Sequence, residues 1–411
     1  MTNFNNNLKK YAQLAVEVGI NIQPGQQLVI NAPIESLQLV RYCVDSAYKA
    51  GASEVTTFFS DDYCSLSRYK NIQSKDYLDQ TTDWLADGLT KGYKDGFARL
   101  VILGRNPTLL KDVDASDIAR ASRARAVAYK PLMDLVTSSH SQWSIISYAT
   151  PEWASQVFPS DTVDVAIDKL WDAIFKSCRI DLEDPVKEWN SHNENIHLRA
   201  KKMNDISFDK LLYESSTAEL MVGLADGHIW EGGSSPTKSG IMFNANIPTE
   251  EIFTTPHRNK IDGWIKSTKP LLYRGTMIDG IHAEFENGNL KSITSSSGEQ
   301  VLKDMVSEDE GASHLGEIAI VPHSSPISQM GVVFKETLFD ENASCHFAFG
   351  QSYTSCMSVI EGESQDAYKE RGGNFSSVHT DWMVGSADLK ITAFKEGQNP
   401  VVIFENGEWV I

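Results

Sequence analysis

The chain has 411 residues, of which 41% are hydrophobic and 9% aromatic, a composition typical of globular proteins and not of disordered ones. At roughly 150 residues per domain, this length predicts two or three domains. The net charge of −18 argues against nucleic acids and anionic membranes as partners, because both carry negative charge themselves.

Helical and strand patterns alternate along the first half of the chain. Helical spacing of apolar residues predicts helices at 8–18, 35–51, 75–92 and 115–137, and one or two more within 151–177. Runs rich in β-branched and aromatic residues predict strands at 27–32, 54–60, 98–104 and 142–149. Strands and helices in turn are typical of a mostly parallel sheet with covering helices, so we expect an α/β N-terminal domain over residues 1–187.

Strands dominate the second half. Apolar, β-branched runs predict strands at 207–215, 218–224, 240–248, 269–294, 316–322, 330–339 and 379–386. Asn-Gly pairs within 286–289 and 405–408 predict hairpin turns, because these residues accept positive φ, and one helix is expected near 297–307. Residues 180–195 are polar and weakly patterned, which places the domain boundary there. We expect a β-rich α+β C-terminal domain over residues 188–411 that binds metal.

Cysteine usage and the absence of export signals bear on location. The five cysteines are odd in number and form no Cys-x-x-Cys pair, so they do not indicate a disulfide framework. The N-terminus lacks the apolar run of a signal peptide, and no apolar stretch approaches the ~18 residues expected of a membrane span. The simplest expectation is a cytoplasmic protein that does not enter a membrane.

Histidines and carboxylates are concentrated in four mostly apolar segments of the second half. These segments are 247–259, 315–322, 340–353 and 376–385. Carboxylates and imidazoles are costly to bury unless they are paired or bound to metal. Each residue taken alone fits an ordinary polar group in a core or at a strand edge, but four such segments in one domain favour a metal site.

The spacing of His379 and Asp381 supports the same hypothesis. In a strand, residues two apart point to one face, ~6.6 Å apart along the backbone, so both side chains can approach one ion. Carboxylates and imidazoles suit Zn²⁺, Co²⁺ or Mn²⁺. Five or six such candidates exceed what one four-coordinate ion needs and fit two ions with a bridging carboxylate, a site that hydrolyses amides or esters.

The four segments also resemble the motifs of the thermophilic metalloaminopeptidases, the family of aminopeptidases T and S, and the resemblance covers essentially the whole chain. It implies a two-metal exopeptidase, dimeric like other family members, that acts on peptides with a free N-terminus. The residues that it implies as metal ligands are Glu251, Glu317, Glu341, His346, His379 and Asp381. The choice of Glu251 over Glu250 depends on the motif alignment alone.

Catalytic roles follow from the same resemblance. Tyr353 matches the proposed catalytic tyrosine and would hydrogen-bond the developing oxyanion, while Glu317, or else Glu251, would serve as general base. His257, Trp230 and Glu231 are candidates for the substrate pocket, although packed structural roles are at least as common for such residues. A dipeptidase, a deacylase or a non-catalytic metal-stabilised protein are the alternatives.

Overall fold

The computed structural model describes residues 2–104, 106 and 108–411, and its contacts divide the chain into two compact units. The N-terminal unit extends through residue 191 and includes residues 234–248, and the C-terminal unit contains residues 192–233 and 249–411. The segment 234–248 therefore lies with the N-terminal unit, although it falls in the range 188–411. The division of the chain at 187/188 stays a prediction.

The N-terminal unit contains a four-stranded parallel sheet. Its strands are β1 (Gln27–Pro33), β2 (Glu54–Ser60), β3 (Ala98–Leu103) and β4 (Trp143–Ser147), in the order β2-β1-β3-β4. Its helices are α1 (Thr2–Leu14), α2 (Leu37–Lys49), α3 (Asp62–Asn71), α4 (Asp83–Lys94), α5 (Ala115–Thr137), α6 (Pro151–Val157) and α7 (Val163–Ser177). The predicted α/β arrangement is confirmed. Helix α3 was not predicted, since it buries no side chain and so has no apolar face to recognise.

The segment 180–195, which the sequence indicates to be weakly patterned, is largely helical, and the boundary predicted within it stays a prediction. Helix α8 (Pro185–Ile206) runs through that segment, and residue 191, where the N-terminal unit ends, lies within it. Trp189, Ile196, Ala200 and Met203 are buried along it at helical spacing. Buried Asn193 occupies the same stripe and hides the pattern from a reading based on hydrophobicity.

The rest of the chain is mostly strand. The helices are α9 (Glu299–Val306), α10 (Pro326–Met330), α11 (Thr337–Asp340) and α12 (Gln365–Glu370). The strands are β5 (Lys210–Ser215), β6 (Ala218–Leu224), β7 (Ser235–Pro236), β8 (Met242–Phe243), β9 (Ile252–Thr254), β10 (Pro256–Lys266), β11 (Leu271–Tyr273), β12 (Thr276–Ile278), β13 (His282–Glu286), β14 (Asn289–Thr294), β15 (Leu315–Ile320), β16 (His346–Gly350), β17 (His379–Met383), β18 (Lys390–Phe394), β19 (Val401–Glu405) and β20 (Glu408–Trp409). The predicted β-rich second half is confirmed.

Two main antiparallel sheets and the two-stranded sheet of β11 and β12 form the C-terminal unit. The larger has eight strands in the order β14-β13-β10-β6-β5-β18-β19-β20, and the smaller has the order β17-β16-β15-β9. Their apolar faces share one hydrophobic core, in which the Tyr213 ring contacts the Phe347 ring edge-on with centroids 5.1 Å apart. The smaller sheet is therefore held firmly by its apolar face.

Local predictions in this unit had mixed outcomes. The Asn-Gly turns are confirmed, since Asn287 and Asn406 have φ of 49° and 53° and the following glycines are also positive. The strand predicted at 330–339 is wrong, because the segment turns at Gly331 and ends in α11. Only Met242–Phe243 of the segment 240–248 forms a strand among the described residues. No described helix has the length and hydropathy needed to cross a bilayer.

Asp309 ties the approach to β17 to the short helical turn at 310–313. Its carboxylate accepts hydrogen bonds from the backbone N–H of Ala312 at 2.9 Å, from the N–H and Oγ of Ser377 at 2.7 Å each, and from Ser376 Oγ at 2.8 Å. Burial raises the pKa of Asp309, but these hydrogen bonds outweigh burial and lower the pKa to about 2.

We expect Asp309→Ala to lower the free energy of unfolding by about 1–2 kcal/mol at pH 7. Because the folded pKa lies below the unfolded value of ~3.9, the stabilisation is present above that value and is lost as the pH falls toward 2. The difference between the urea unfolding midpoints of the variant and of wild type should therefore be smaller at pH 3 than at pH 7. The control is Asp304→Ala, which removes an exposed carboxylate from α9. If Asp309→Ala lost the same stability at both pH values, its hydrogen bonds would not be the cause of the loss.

Candidate metal centre

The smaller sheet of the C-terminal unit, with strands β17-β16-β15-β9, has apolar side chains on one face and ionisable side chains on the other. Ile318, Phe347, Phe349 and Trp382 point into the shared core. The opposite face carries, from β15, β16 and β17, the side chains of Glu317, His346, His379 and Asp381. The same residue spacing that buries the apolar side chains therefore brings the acids and imidazoles to one face.

Strand register places these groups in adjacent rows. Glu317 is paired with Ala348, and Ala348 with Asp381, so a small side chain lies between two carboxylates. Beside Glu317, Gly316 lies at a bulge in the ladder, and a Cβ there would meet Gly350 O at 2.3 Å. The glycine is thus required for the close approach of strands that positions Glu317.

Two groups of three side chains could each hold a cation. The first is Glu251, Glu317 and His346, and the second is Glu317, His379 and Asp381. Within each group, one ligand atom per residue lies within 4.8 Å of the others. The shared member, Glu317, has two carboxylate oxygens and can therefore serve both groups.

Closest approaches within the groups are short. His346 Nε2 lies 3.1 Å from Glu251 Oε2. His379 Nε2 lies 3.2 Å from Glu317 Oε2 and 3.4 Å from Asp381 Oδ1. Apart from these contacts within the groups, the Glu251 Oε2, His379 Nε2 and Asp381 Oδ1 atoms are buried and have no hydrogen-bond partner in the described part of the chain. Unpartnered buried polar atoms are rare in folded proteins, and cations held by the two groups would satisfy these atoms.

Both histidines are oriented through their second ring nitrogen. His379 Nδ1 lies 2.7 Å from Gln351 O, and His346 Nδ1 lies 3.2 Å from Ser344 O. When the ring is neutral, Nδ1–H donates to the carbonyl and Nε2 keeps its lone pair. That tautomer directs Nε2 toward the carboxylates in the manner of a metal ligand.

The electrostatic field of this face favours positive charge. Burial lowers the pKa of His346, but the hydrogen bond to Glu251 and the nearby carboxylates outweigh it and raise the pKa to about 10. Burial is likewise outweighed at His379, whose pKa the charge of Asp381 and the hydrogen bonds raise to about 12. Burial raises the pKa of Glu317. The cluster is thus an anionic site in low-dielectric surroundings.

The structure separates the two neighbouring glutamates. Glu251 precedes β9 and contacts His346, whereas the Glu250 carboxylate lies 3.5 Å from His192 Nε2. Backbone alternation explains the difference, because Ile252 and Thr254 face the core and Glu251 and Phe253 therefore face the ionisable side. The geometry favours Glu251 as the cluster member.

Glu341 and Tyr353 lie beside the two groups. Glu341 belongs to neither group, and burial and then the charges of Glu251 and Asp381 raise its pKa well above the usual value. The Tyr353 ring lies 4.8 Å from the His379 ring and 5.6 Å from that of Phe253, between centroids. Although 46% of Tyr353 is exposed, dense packing around its hydroxyl group raises its pKa, as do the nearby carboxylates.

The three pocket candidates have different surroundings. The His257 ring packs against Gly372, and its Nδ1 accepts a hydrogen bond from Asn259 N at 3.1 Å. Trp230 is buried in the core. The backbone of Glu231 pairs with Phe253, so its side chain shares the ionisable face, where Ser355 Oγ donates to it at 2.9 Å.

Sequence reasoning missed the small residues of this face. Ala348 and Ala319 are fully buried in the rows that carry Glu317 and His346. Alternation within the motif "HFAFG" was the available signal, since His346, Ala348 and Gly350 share one side of β16. Cys345, which precedes His346 in the sequence, is buried in the hydrophobic core.

Comparison with known proteins gives a consistent family. The sequence profile of the thermophilic metalloprotease (M29) family matches residues 4–409. The chain is 40% identical to aminopeptidase T of Thermus aquaticus over the full length of both proteins. It is 39% identical to aminopeptidase 2 of Geobacillus stearothermophilus, covering 100% of this chain and 99% of that protein.

A solved structure agrees with the fold. Wild-type AmpT from Thermus thermophilus superimposes with a TM-score of 0.93 at 38% identity, covering 99% of this chain and 100% of that one. The arrangement of a parallel sheet with helices and mostly antiparallel strands is therefore shared with that protein.

A larger side chain at Ala348 should weaken metal binding without removing any donor. We expect Ala348→Val to bind Zn²⁺ or Co²⁺ at least about tenfold more weakly in calorimetric titrations, because the added methyl groups fill the space between Glu317 and Asp381. Ala393→Val, at a fully buried position on β18, is the matched control for overpacking. Equal metal affinity in the two variants would show that the ions are not bound beside the row of Glu317, Ala348 and Asp381.

Proposed function

This chain belongs to the thermophilic metalloprotease (M29) family and is therefore a peptide-bond hydrolase, and we propose that it is an aminopeptidase whose attacking water is activated by two divalent ions. Its substrates would be peptides with a free N-terminal amine. The names of the relatives, aminopeptidase T and aminopeptidase 2, support the exopeptidase activity.

The observation that carries the proposal is the pair of donor groups that share Glu317. We assign Glu251 and His346 to one ion, His379 and Asp381 to the other, and Glu317 to both. Glu341 would complete the set, since its buried carboxyl is close enough to Glu251 and Asp381 for their charges to raise its pKa. The four carboxylates carry four negative charges when ionised, which two divalent cations balance.

Donor chemistry agrees with a catalytic site. Carboxylate and imidazole ligands suit Zn²⁺, Co²⁺ and Mn²⁺, whereas closed structural zinc sites usually employ thiolates. Cys345 is the thiol nearest in sequence, and its Sγ interacts with the backbone of Val321 at 3.4 Å in the core. This argues against a purely structural metal site.

The roles of the side chains follow from their positions. Divalent ions bound here would lower the pKa of a water molecule and polarise the peptide carbonyl. Glu317, between the two groups, would accept the proton of the attacking water, with Glu251 as the second candidate. Tyr353, beside His379, would donate its hydroxyl hydrogen to the oxyanion that develops at the carbonyl. His346 and His379 are held in their ligand orientation by backbone carbonyls.

Three further properties belong to this proposal. We expect the protein to function as a homodimer in the cytoplasm, and we expect zinc, cobalt or manganese at the site.

Cleavage of a leucyl peptide should depend on both metal and a free amine. We expect the free-amine peptide to be cut and the N-acetylated peptide to resist, because an exopeptidase anchors the amine. Chelation should abolish cleavage, and added Zn²⁺, Co²⁺ or Mn²⁺ should restore it. Cleavage of both peptides would indicate a deacylase or endopeptidase instead, and activity unaffected by chelation would exclude metal catalysis.

The tyrosine hydroxyl should act on turnover and not on metal binding. We expect Tyr353→Phe to lower kcat by about 10²–10³-fold, since removing an oxyanion donor costs ~2.7–4 kcal/mol, while the metal content stays at the wild-type value. The phenylalanine ring keeps the contacts with Phe253 and His379. Glu317→Gln is the comparison variant, and it should lose metal as well as turnover. An unchanged kcat in Tyr353→Phe would show that the tyrosine hydroxyl does not stabilise the oxyanion.

A further inference from the structure

The parallel sheet of the N-terminal unit has a topological switch point. From β1 the chain moves to β2 on one side, and it later enters β3 on the other side of β1. In open parallel sheets, the crevice beside the carboxyl ends of the strands at such a point is the usual position of a ligand. The sequence motifs of the metal centre do not involve this region.

A cavity of about 750 Å³ lies there. Its floor includes the last residues of β1, β2 and β3, and its cover is formed by α4 and α5. Helix α5 packs tightly through Ala121, Leu132 and Val136, but the small side chains of Ser122 and Ala126 border the cavity between those contacts.

The cavity contains two arginines that have no acidic partner in the part of the chain that the structure describes. Arg99 rises from β3 and is mostly buried, and its Nε donates a long hydrogen bond of 3.4 Å to Asn31 Oδ1. Burial lowers the pKa of Arg99, and the charge of nearby Arg125 lowers it further. Among the described residues, no carboxylate oxygen lies within 4.0 Å of either guanidinium.

The surroundings of these arginines are apolar and aromatic. Phe58, Val101 and Tyr129 line the same cavity, and the Arg125 guanidinium lies 4.9 Å from the centre of the Tyr129 ring. Among the described lining residues, Asp62 is the one carboxylate, and burial and then the charges of Glu35 and Glu152 raise its pKa. The two arginines outnumber the one lining carboxylate, and their side of the half-buried crevice is complementary to an anion.

We propose that this crevice binds a small organic oxyanion, a carboxylate or a phosphate attached to a flat apolar group. Arg99 and Arg125 hold the oxyanion, because guanidinium groups match carboxylate and phosphate geometry with paired hydrogen bonds. Phe58 and Tyr129 contact the apolar group. This site is independent of the proposed peptidase reaction.

Calorimetric titration of the full chain tests the site. The probes are phenyl phosphate and 3-phenylpropanoate, which distinguish a phosphate from a carboxylate ligand, and 3-phenylpropanol, which keeps the apolar group without the charge. We expect at least one anion to bind, the alcohol to bind at least about tenfold more weakly, and affinity for the anion to fall as salt is added. Arg99→Met should weaken anion binding at least about tenfold, because a buried charge partner is lost.

The matched control is Arg123→Met, which removes an arginine of α5 that does not line the cavity. Its anion affinity should equal that of wild type. Arg125→Met provides a second test at an exposed position, in case melting curves show that Arg99→Met is unfolded. The proposal is overturned if neither anion binds at millimolar concentration, if the alcohol binds as well as the anions, or if Arg125→Met and Arg123→Met bind equally well.

Discussion

The site depends on the burial of several carboxylates and imidazoles on one face of the antiparallel sheet β17-β16-β15-β9. Glu251, Glu317 and His346 are each less than a tenth exposed. Burying charge in low-dielectric surroundings is strongly unfavourable unless opposite charge is supplied. The core on the other face, with Phe347, Phe349 and Trp382, supplies the rigidity that keeps these groups together. A cation is the simplest way to satisfy them.

The same sheet explains why the donors converge. Period-two alternation sends apolar and ionisable residues of β15, β16 and β17 to opposite faces, and antiparallel register aligns Glu317 with Asp381 across Ala348. A shift of one residue in any of these strands would turn the donors into the core. The bulge at Gly316 fixes the register of β15 against β16 at this point. Function in this family member thus depends on strand registry as much as on residue identity.

Sequence reasoning recovered features that depend on local patterns. The α/β alternation, the Asn-Gly turns and the isolated helix near 297–307 each have a signal within a few residues. It failed where the deciding contact is distant: buried Asn193 disguises α8, and the apolar run at 330–339 folds as a turn and helix. The choice between Glu250 and Glu251 follows from the pairing of Ile252 with Ile320, which no local pattern reveals.

Anomalous diffraction from crystals of the zinc-loaded protein, recorded on both sides of the zinc absorption edge, would locate the bound ions. We expect two zinc peaks on the face of the sheet β17-β16-β15-β9 that carries the carboxylates and imidazoles. One should be bound by Glu251 and His346, the other by His379 and Asp381, and Glu317 should contact both. A single peak, or peaks away from Glu317, would contradict the assignment of this carboxylate as the bridge between two ions.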